Sequence, residues 1–298
     1  VDLNGTGAWA KAALGFAAKP GLAATGAKWL AKVRAAGVPT FRRHAILFAE
    51  GGDDGLEAVQ IAPLDGDGQP IAAKARTIAA DVLYVGHGLI PNVEVTQALR
   101  ADHRLDPLRG GLVTVCDDFG RTSVEGLYAA GDGTGVRGAR PAVHAGELAG
   151  LAVALDAGAL PDTAVSRRAK TALSRQRSLR PFADASCRLM ALPEGLVAAI
   201  PKATIVCRCE DVSRADIEAA VDAGASDLDQ MKHFTRCGMG PCQGRMCAGI
   251  AASLVAMKLG RPVGEGFTPR TPLRPVGVAA LSGHFTYADI PVPPPAPL

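Results

Sequence analysis

The segment GLYAAGDGTG, from Gly126 to Gly135, is the starting point for predicting the fold class of this chain. It begins with apolar residues typical of a strand and continues with glycines around Asp132, and a helical pattern follows from about Pro141 to Leu155. Glycines let backbone amides approach a phosphate closely, and a helix N-terminus favours its negative charge. Asp132 can accept hydrogen bonds from the hydroxyls of a sugar alcohol. The pattern predicts half of a nucleotide-binding βα unit, although a purely structural turn fits the spacing as well.

The composition is that of a globular chain and argues against two classes of partner. Of the 298 residues, 48% are hydrophobic, and the formal net charge is +3. No basic run interleaved with aromatic residues is present, so we expect no nucleic acid partner. The most apolar stretch, AGLAVALDAGAL, is broken by Asp156 well short of a bilayer span, and no signal segment opens the chain. We therefore expect no membrane span and a cytoplasmic location.

The N-terminal third combines helical and strand patterns. Residues from about 8 to 36 have the composition of helices. TFRRHAILFAE, LEAVQIAPL and KARTIAADVLYVG have the apolar patterns of strands, with GGDDG and DGDGQP as turns. The chain starts with Val1 and does not open with the Gly-x-Gly-x-x-Gly turn of a dinucleotide-binding domain. We expect an α/β chain that is N-terminally incomplete.

The glycine-rich segment resembles the second flavin-contacting motif of two-dinucleotide-domain flavoproteins, the disulfide-reductase-like family. The resemblance includes DDFGRTSVEG before the loop, and IAADVLYVGHGLIPNVE, which matches the strand that returns from the nicotinamide domain to the FAD domain. It implies FAD as a cofactor, with Asp132 holding its ribityl and pyrophosphate part. The residues that the resemblance places beside FAD are Gly86, Gly88, Gly131, Asp132, Gly133, Ala142 and Val143.

Five of the seven cysteines lie within about forty residues of one another. VCRCEDV contains Cys207 and Cys209, and TRCGMGPCQGRMC contains Cys237, Cys242 and Cys247 at equal steps. Four thiolates can hold either one tetrahedral zinc ion or a [2Fe–2S] cluster. A Cys-x-Cys pair is unusual for a zinc finger and favours iron–sulfur. Either of the two later Cys-x4-Cys pairs can complete the set, so the spacing leaves the choice of ligands open.

The two cysteine segments resemble the bacterioferritin-associated-ferredoxin type of [2Fe–2S] domain. They are similar in particular to the version fused to flavoprotein subunits of heteromeric amine and imino-acid dehydrogenases, including opine oxidases and hydrogen cyanide synthase. In that family the text GMGPCQGRxC supplies the later ligands. The resemblance therefore implies Cys207, Cys209, Cys242 and Cys247 as ligands, with Cys237 as a neighbouring thiol.

The cysteines are expected on a small helical domain. Ser213 with Asp216, and Ser226 with Asp229, are Ser-x-x-Asp patterns that predict the starts of two short helices. GRMCAGIAASLVAMKL predicts a third helix that ends at Gly260. The predicted domains are the remainder of a nicotinamide-type domain with a connecting meander (1–75), the C-terminal part of an FAD-binding domain (76–160), a helical linker with a solvated arginine-rich face (161–200), the [2Fe–2S] domain (201–262) and an extended tail (263–298).

Together the two resemblances imply an FAD- and [2Fe–2S]-containing subunit of a heteromeric amine or imino-acid dehydrogenase of the opine, proline or glycine type. The resemblance implies that a second flavoprotein subunit oxidises the amine and that this subunit relays electrons from it to an acceptor. No histidine–carboxylate pair stands out near the flavin motifs, and His87 and His144 are more typical of packing or surface positions, so no catalytic residue is assigned. Two alternatives remain, a subunit like that of anaerobic glycerol-3-phosphate dehydrogenase and a zinc-stapled, non-catalytic binding module.

Overall fold

The structure is a computed structural model and describes residues 1–263, 266–283 and 286–289. Ten helices and seven strands are formed by these residues. The helices are α1 (Thr6–Ala17), α2 (Pro20–Ala35), α3 (Glu94–Ala98), α4 (Ala139–Asp156), α5 (Asp162–Met190), α6 (Glu194–Ala198), α7 (Arg214–Asp222), α8 (Leu228–Thr235), α9 (Ala248–Leu259) and α10 (Val278–Leu281). The strands are β1 (His44–Gly52), β2 (Gly55–Pro63), β3 (Arg76–Ala79), β4 (His103–Asp106), β5 (Gly111–Thr114), β6 (Ile205–Cys207) and β7 (Val212–Ser213).

The N-terminal part has two helices and a three-stranded antiparallel sheet in the order β1–β2–β3. Ala45 pairs with Ala62 and Ile46 with Ile61 across β1 and β2. Val59 and Ile61 are buried on one face of β2 and Ala62 on the other, since successive strand residues point to opposite faces. The predicted helices and the first two predicted strands are therefore confirmed.

The strand predicted in KARTIAADVLYVG is only partly formed. β3 ends at Ala79, and the fully described stretch from this residue to α3 contains no further strand. The side chains of Val82, Tyr84 and Val85 are exposed, Tyr84 to 92%. An extended segment becomes a strand only where a neighbour takes up its backbone hydrogen bonds, and among the described residues none pairs with this segment. The prediction was wrong here because an apolar pattern does not show whether a neighbouring strand exists.

Helices α4 and α5 pack together in a core beside the glycine-rich segment. Helix α4 begins close to the predicted position, and Leu148 and Leu151 on it contact Val165 and Ala169 on α5. Helix α5 is 29 residues long and carries a buried apolar stripe, so the predicted linker packs against the domain. Its arginines outside this stripe are exposed, as expected for a solvated face.

A buried arginine connects α5 to the turn that precedes β5. Arg109 is 5% exposed and forms an ion pair with Asp184 on α5. Its Nη1 atom also lies 3.5 Å from the carbonyl oxygen of Val136, just after the glycine-rich loop. Because a buried guanidinium is costly without partners, these contacts are needed to hold it. They fix the loop relative to the long helix.

The cysteine segments lie on a separate helical unit formed by β6, β7 and α6 to α9, which we call the cysteine unit. Its core contains Ile217, Met231, Ala251 and Val255, all fully buried. Around this core, the strands and helix termini bring distant parts of the sequence together. The unit has its own hydrophobic core, which is what defines a domain.

The helix caps of this unit follow the sequence pattern with one exception. Ser213 and Asp216 form a capping box at α7, as predicted. Helix α8 is capped by Asp227 instead of Ser226, because the Asp227 side chain accepts from the amide of Gln230. The Ser226 amide and hydroxyl both donate to the Gln230 side chain. Two adjacent cap-forming residues made the sequence ambiguous by one position.

The segment predicted as a tail begins within the cysteine unit. Val263 and Phe267 are buried against its core, and the short helix α10 follows. Residues 264–265, 284–285 and 290–298 of the predicted tail lie outside the described residues. Across the described ranges, no helix combines the length and apolar character needed to cross a membrane.

Candidate cofactor and metal sites

The glycine-rich segment forms a tight loop that leads into the N-terminus of α4. A single 3-10 turn spans Gly131–Thr134, and Gly131 and Gly135 have φ angles of +74° and +110°. A Cβ atom added at Gly135 would lie 2.9 Å from the Cβ of Arg109. Only glycine adopts these positive φ angles without strain and has no Cβ atom to collide with Arg109. The loop therefore exposes its backbone at the start of a helix, an arrangement that favours phosphate.

Several predicted FAD contacts come together at this loop. Gly131, Asp132 and Ala142 line one small cavity, and Asp132 is exposed. Gly133 is the next loop residue, and a Cβ added to it would lie 3.2 Å from the carbonyl oxygen of Asn92. The position of an accessible carboxylate beside a glycine loop fits the hydroxyl-rich chain of FAD.

Three other predicted contacts lie outside this cavity. Gly86 and Gly88 are in the irregular segment before α3, and a Cβ added at Gly88 would lie 3.3 Å from the Met190 carbonyl oxygen. Val143, in the first part of α4, is exposed. Their role beside a flavin stays a prediction.

Arg137 is a residue of this cavity that the sequence reasoning missed. It lines the cavity together with Asp132 and is partly buried. Burial lowers the pKa of Arg137, and the positive charge of Arg109 lowers it further. The charged guanidinium of Arg137, partly removed from water, is stabilised by a nearby anion. The available signal was an arginine inside the glycine-rich segment GTGVRG.

Three cysteines form a buried group in the helical unit. The sulfur atoms of Cys207, Cys237 and Cys247 lie within 4.8 Å of one another. The Cys237 thiol donates to Cys247 Sγ at 3.9 Å, and the amide of Gly238 donates to Cys207 Sγ at 3.5 Å. The hydrogen bond with Cys237 and burial both raise the pKa of Cys247. The sulfur of Cys237, predicted as a neighbouring thiol, thus lies within 4.8 Å of those of two predicted ligands, Cys207 and Cys247.

Cys209 and Cys242 form a second pair closer to the surface. Their side chains are close enough to influence each other's ionisation. Burial opposes ionisation of Cys242, but the amides of Met246, Gly244 and Arg245 and the Cys209 thiol outweigh it and lower the pKa of Cys242. The Cys242 amide acts to lower the pKa of Cys209, yet the Cys242 side chain and desolvation raise it overall. Cys242 is therefore the sulfur in this pair whose ionised form is best supported by backbone donors.

The donor set fits a soft metal or an iron–sulfur cluster. Cysteines bind metals as thiolates, and backbone amides that point at sulfur stabilise their negative charge. Close packing keeps the loops tight, since a Cβ added at Gly240 would lie 2.3 Å from the Cβ of Cys209. Phe267 packs in the same way against Gly238 and Gly244. The structure brings together all four predicted ligands in one unit, and Cys237 with them.

Comparison with known proteins matches the two parts of the chain to two family models. The family described as pyridine nucleotide-disulphide oxidoreductase matches residues 26–154, and the sarcosine oxidase A3 domain matches residues 202–284. The chain is 34% identical over 273 residues to hydrogen cyanide synthase subunit HcnB of Pseudomonas protegens, covering 91% of this chain and 58% of HcnB. The chain belongs to the family of FAD-dependent oxidoreductases that includes HcnB.

A further sequence relative and a solved structure extend the comparison. An opine oxidase subunit of Rhizobium meliloti is 34% identical over 216 residues, which cover 71% of this chain and 40% of the relative. L-Proline dehydrogenase from P. horikoshii superposes with a TM-score of 0.61 at 21% identity, covering 85% of this chain and 47% of that one. The predicted α/β flavoprotein fold is thereby confirmed. The chain spans about 60% of the length of the HcnB proteins that it matches.

Proposed function

We propose that this chain is the FAD- and [2Fe–2S]-containing subunit of a heteromeric amine or imino-acid dehydrogenase of the opine, proline or glycine type. In this proposal it relays electrons from a partner flavoprotein subunit, which oxidises the substrate, to an electron acceptor. The observation that carries the proposal is the gathering of five cysteines in one helical unit, in a chain that also contains the glycine-rich loop of a flavoprotein fold.

The glycine-rich loop supplies the groups that FAD requires. Gly131 and Gly133 allow the cofactor to approach the backbone, and Asp132 offers a carboxylate to hydroxyl groups of the ribityl chain. The start of α4 and Arg137 favour the negative charge of the pyrophosphate. FAD, when bound, exchanges electrons in pairs or singly and so connects hydride-type oxidation to one-electron carriers.

The cysteines supply two pairs of ligands, as a [2Fe–2S] cluster requires. Cys209 and Cys242 form the outer pair, and Cys207 and Cys247 lie together in the buried group. This division supports the predicted ligand set, with two thiolates for each iron. Cys237 remains close enough to take the place of one of them, and mutation distinguishes the two arrangements.

The same geometry favours one alternative function, a zinc-stapled binding module. The sulfur atoms of Cys207, Cys237 and Cys247 are mutually within 4.8 Å, which suits binding of a single ion by three thiolates. Such a module would contain zinc and show no visible absorption from iron. Metal identity therefore decides between electron transfer and a purely structural role for the cysteine unit.

The first test is the composition of the complete protein, purified without oxygen. The proposal predicts FAD, iron and acid-labile sulfide, visible absorption beyond that of the flavin, and an electron paramagnetic resonance signal after reduction. The protein purified without its partner should show almost no amine-dependent dye reduction until the partner is added. Stoichiometric zinc without iron would support the binding module, and full turnover without the partner would refute the relay role.

A further inference from the structure

One carboxylate joins the predicted FAD-binding part of the chain, residues 76–160 (the FAD-binding half), to the cysteine unit. Glu94, the first residue of α3, forms an ion pair with Arg245, which lies between Cys242 and Cys247. The Arg245 side chain is 25% exposed and that of Glu94 is 16% exposed. Because the pair is largely withdrawn from water, salt and solvent screen it less than a surface pair.

Further contacts on the cysteine side restrict this arginine. Arg245 Nη2 donates to the carbonyl oxygen of Leu273 at 2.6 Å. Arg274 Nη2 lies 3.8 Å from the second carboxylate oxygen of Glu94. Glu94 thus contacts two arginines, both in the region that matches the sarcosine oxidase A3 domain. A guanidinium held at a carboxylate and at a carbonyl has little freedom to reorient.

The segment around Glu94 also touches the glycine-rich loop. The Asn92 carbonyl oxygen lies 3.2 Å from the position of a Cβ added at Gly133. On the other side, Ile90 Cδ1 lies 4.0 Å from the position of a Cβ added at Gly249 in α9. The short segment leading into α3 therefore contacts the predicted FAD loop and the cysteine unit at once.

We propose that Arg245 and Glu94 position the cysteine unit against the FAD-binding half and so fix the separation between the thiols and the glycine-rich loop. This inference rests on the proposed function, in which electrons pass between those two sites. Electron transfer weakens steeply with distance, so a loosened contact would slow it without removing either cofactor. Arg245 and Glu94 are therefore positioning residues.

The test combines hydrogen–deuterium exchange with cofactor analysis on the complete protein. Glu94→Gln, Arg245→Gln and the double variant are compared with the unmodified protein. Each single variant should raise exchange in α3 and in residues 244–250 about three- to tenfold, as expected for loss of a partly buried pair. The effect of the double variant should be clearly smaller than the two single effects combined, since both substitutions remove the Arg245–Glu94 contact. FAD and iron content should stay unchanged while the rate of flavin-to-cluster electron transfer falls.

Arg236→Gln is the matched control. Arg236 also lies beside the thiols, but its ion pair with Glu210 stays within the cysteine unit. This control should leave exchange in α3 unchanged. Arg245→Lys keeps the charge but loses the fork that reaches Leu273, and should give an intermediate effect.

Unchanged exchange in α3 in both single variants, or additive effects in the double variant, would overturn the positioning role. Equal loosening of α3 by Arg236→Gln would overturn it as well. If Arg245→Gln fails to fold by circular dichroism, Glu94→Gln makes the same test from the other half. Iron and FAD content of the unmodified protein report separately on the proposed function: coupled exchange in a protein without iron would keep the contact and refute the cofactor assignment.

Discussion

The sulfur atoms of Cys237 and Cys247 lie 3.9 Å apart in the core of the cysteine unit. Serine at Cys207, Cys209, Cys242 or Cys247 is expected to abolish the electron paramagnetic resonance signal of the reduced cluster, because each would remove one thiolate ligand. Cys237→Ser is expected to retain it.

The contact between Cys237 and Cys247 makes this panel decisive. Loss of the signal in Cys237→Ser together with its retention in Cys247→Ser would show that the buried group supplies a different ligand. Cys116→Ser is the control, since Cys116 follows β5 and lies in the FAD-binding half.

The accessible carboxylate of Asp132 is expected to hold FAD. Asp132→Ala should weaken FAD retention by about one to two decades, since a charge-assisted hydrogen bond contributes about 1.5–3 kcal/mol. Flavin content after dialysis of the complete protein measures this. Asp53→Ala, in the turn between β1 and β2, is the control and should retain flavin fully. Equal flavin content in both variants would contradict the role of Asp132.

Gly240 is expected to tolerate no side chain. A Cβ atom there would lie 2.3 Å from the Cβ of Cys209, so Gly240→Ala must displace this predicted ligand. Overpacking of this kind costs about 1–3 kcal/mol, and iron content should fall with it. Gly249→Ala adds the same methyl group in α9 with a nearest contact of 4.0 Å and should keep its iron. Normal iron content in Gly240→Ala would show that the loop can move away.

Asp156 is expected to stabilise the end of α4 in a pH-dependent manner. Hydrogen bonds from Arg121 and Tyr128 lower the pKa of Asp156 from 3.8 to about 2. A carboxyl group whose pKa is lowered by folding stabilises the native state above its unfolded pKa, and this contribution disappears as the pH falls through the folded value. The urea midpoint of Asp156→Asn should therefore lie below that of the unmodified protein at pH 7.

The difference between the two urea midpoints should shrink as the pH falls from 3.8 towards 2. Asp54→Asn, in an exposed turn, should match the unmodified protein throughout. A constant difference across this pH range would mean that Asp156 acts through its shape and not through its charge.

Local signals in the sequence predicted most of the helices. Pro141 near the start of α4, the Ser213–Asp216 capping box and the glycine after α9 each act within a few residues, so they can be recognised without tertiary information. The strand expected around Tyr84 did not form, because strand formation depends on a partner that lies elsewhere in the chain.

The candidate sites show the same division between local and tertiary information. The glycines and Asp132 were recognisable because the loop is contiguous in sequence. The burial of Cys237 and the pairing of Arg245 with Glu94 depend on how two distant segments pack, which spacing does not encode. Equal five-residue steps between cysteines carried no information about which sulfur faces inward.

The exposed apolar residues before α3 have a practical consequence for handling this polypeptide. Val82, Tyr84 and Val85, followed by Leu89 and Ile90, lie outside the strands of the described residues and expose large apolar side chains together. Such a run can pair edge to edge with another copy of itself, which is the first step of aggregation. Recombinant production of this 298-residue chain alone should therefore give inclusion bodies more readily than production with a covering partner, and Tyr84→Lys should improve recovery.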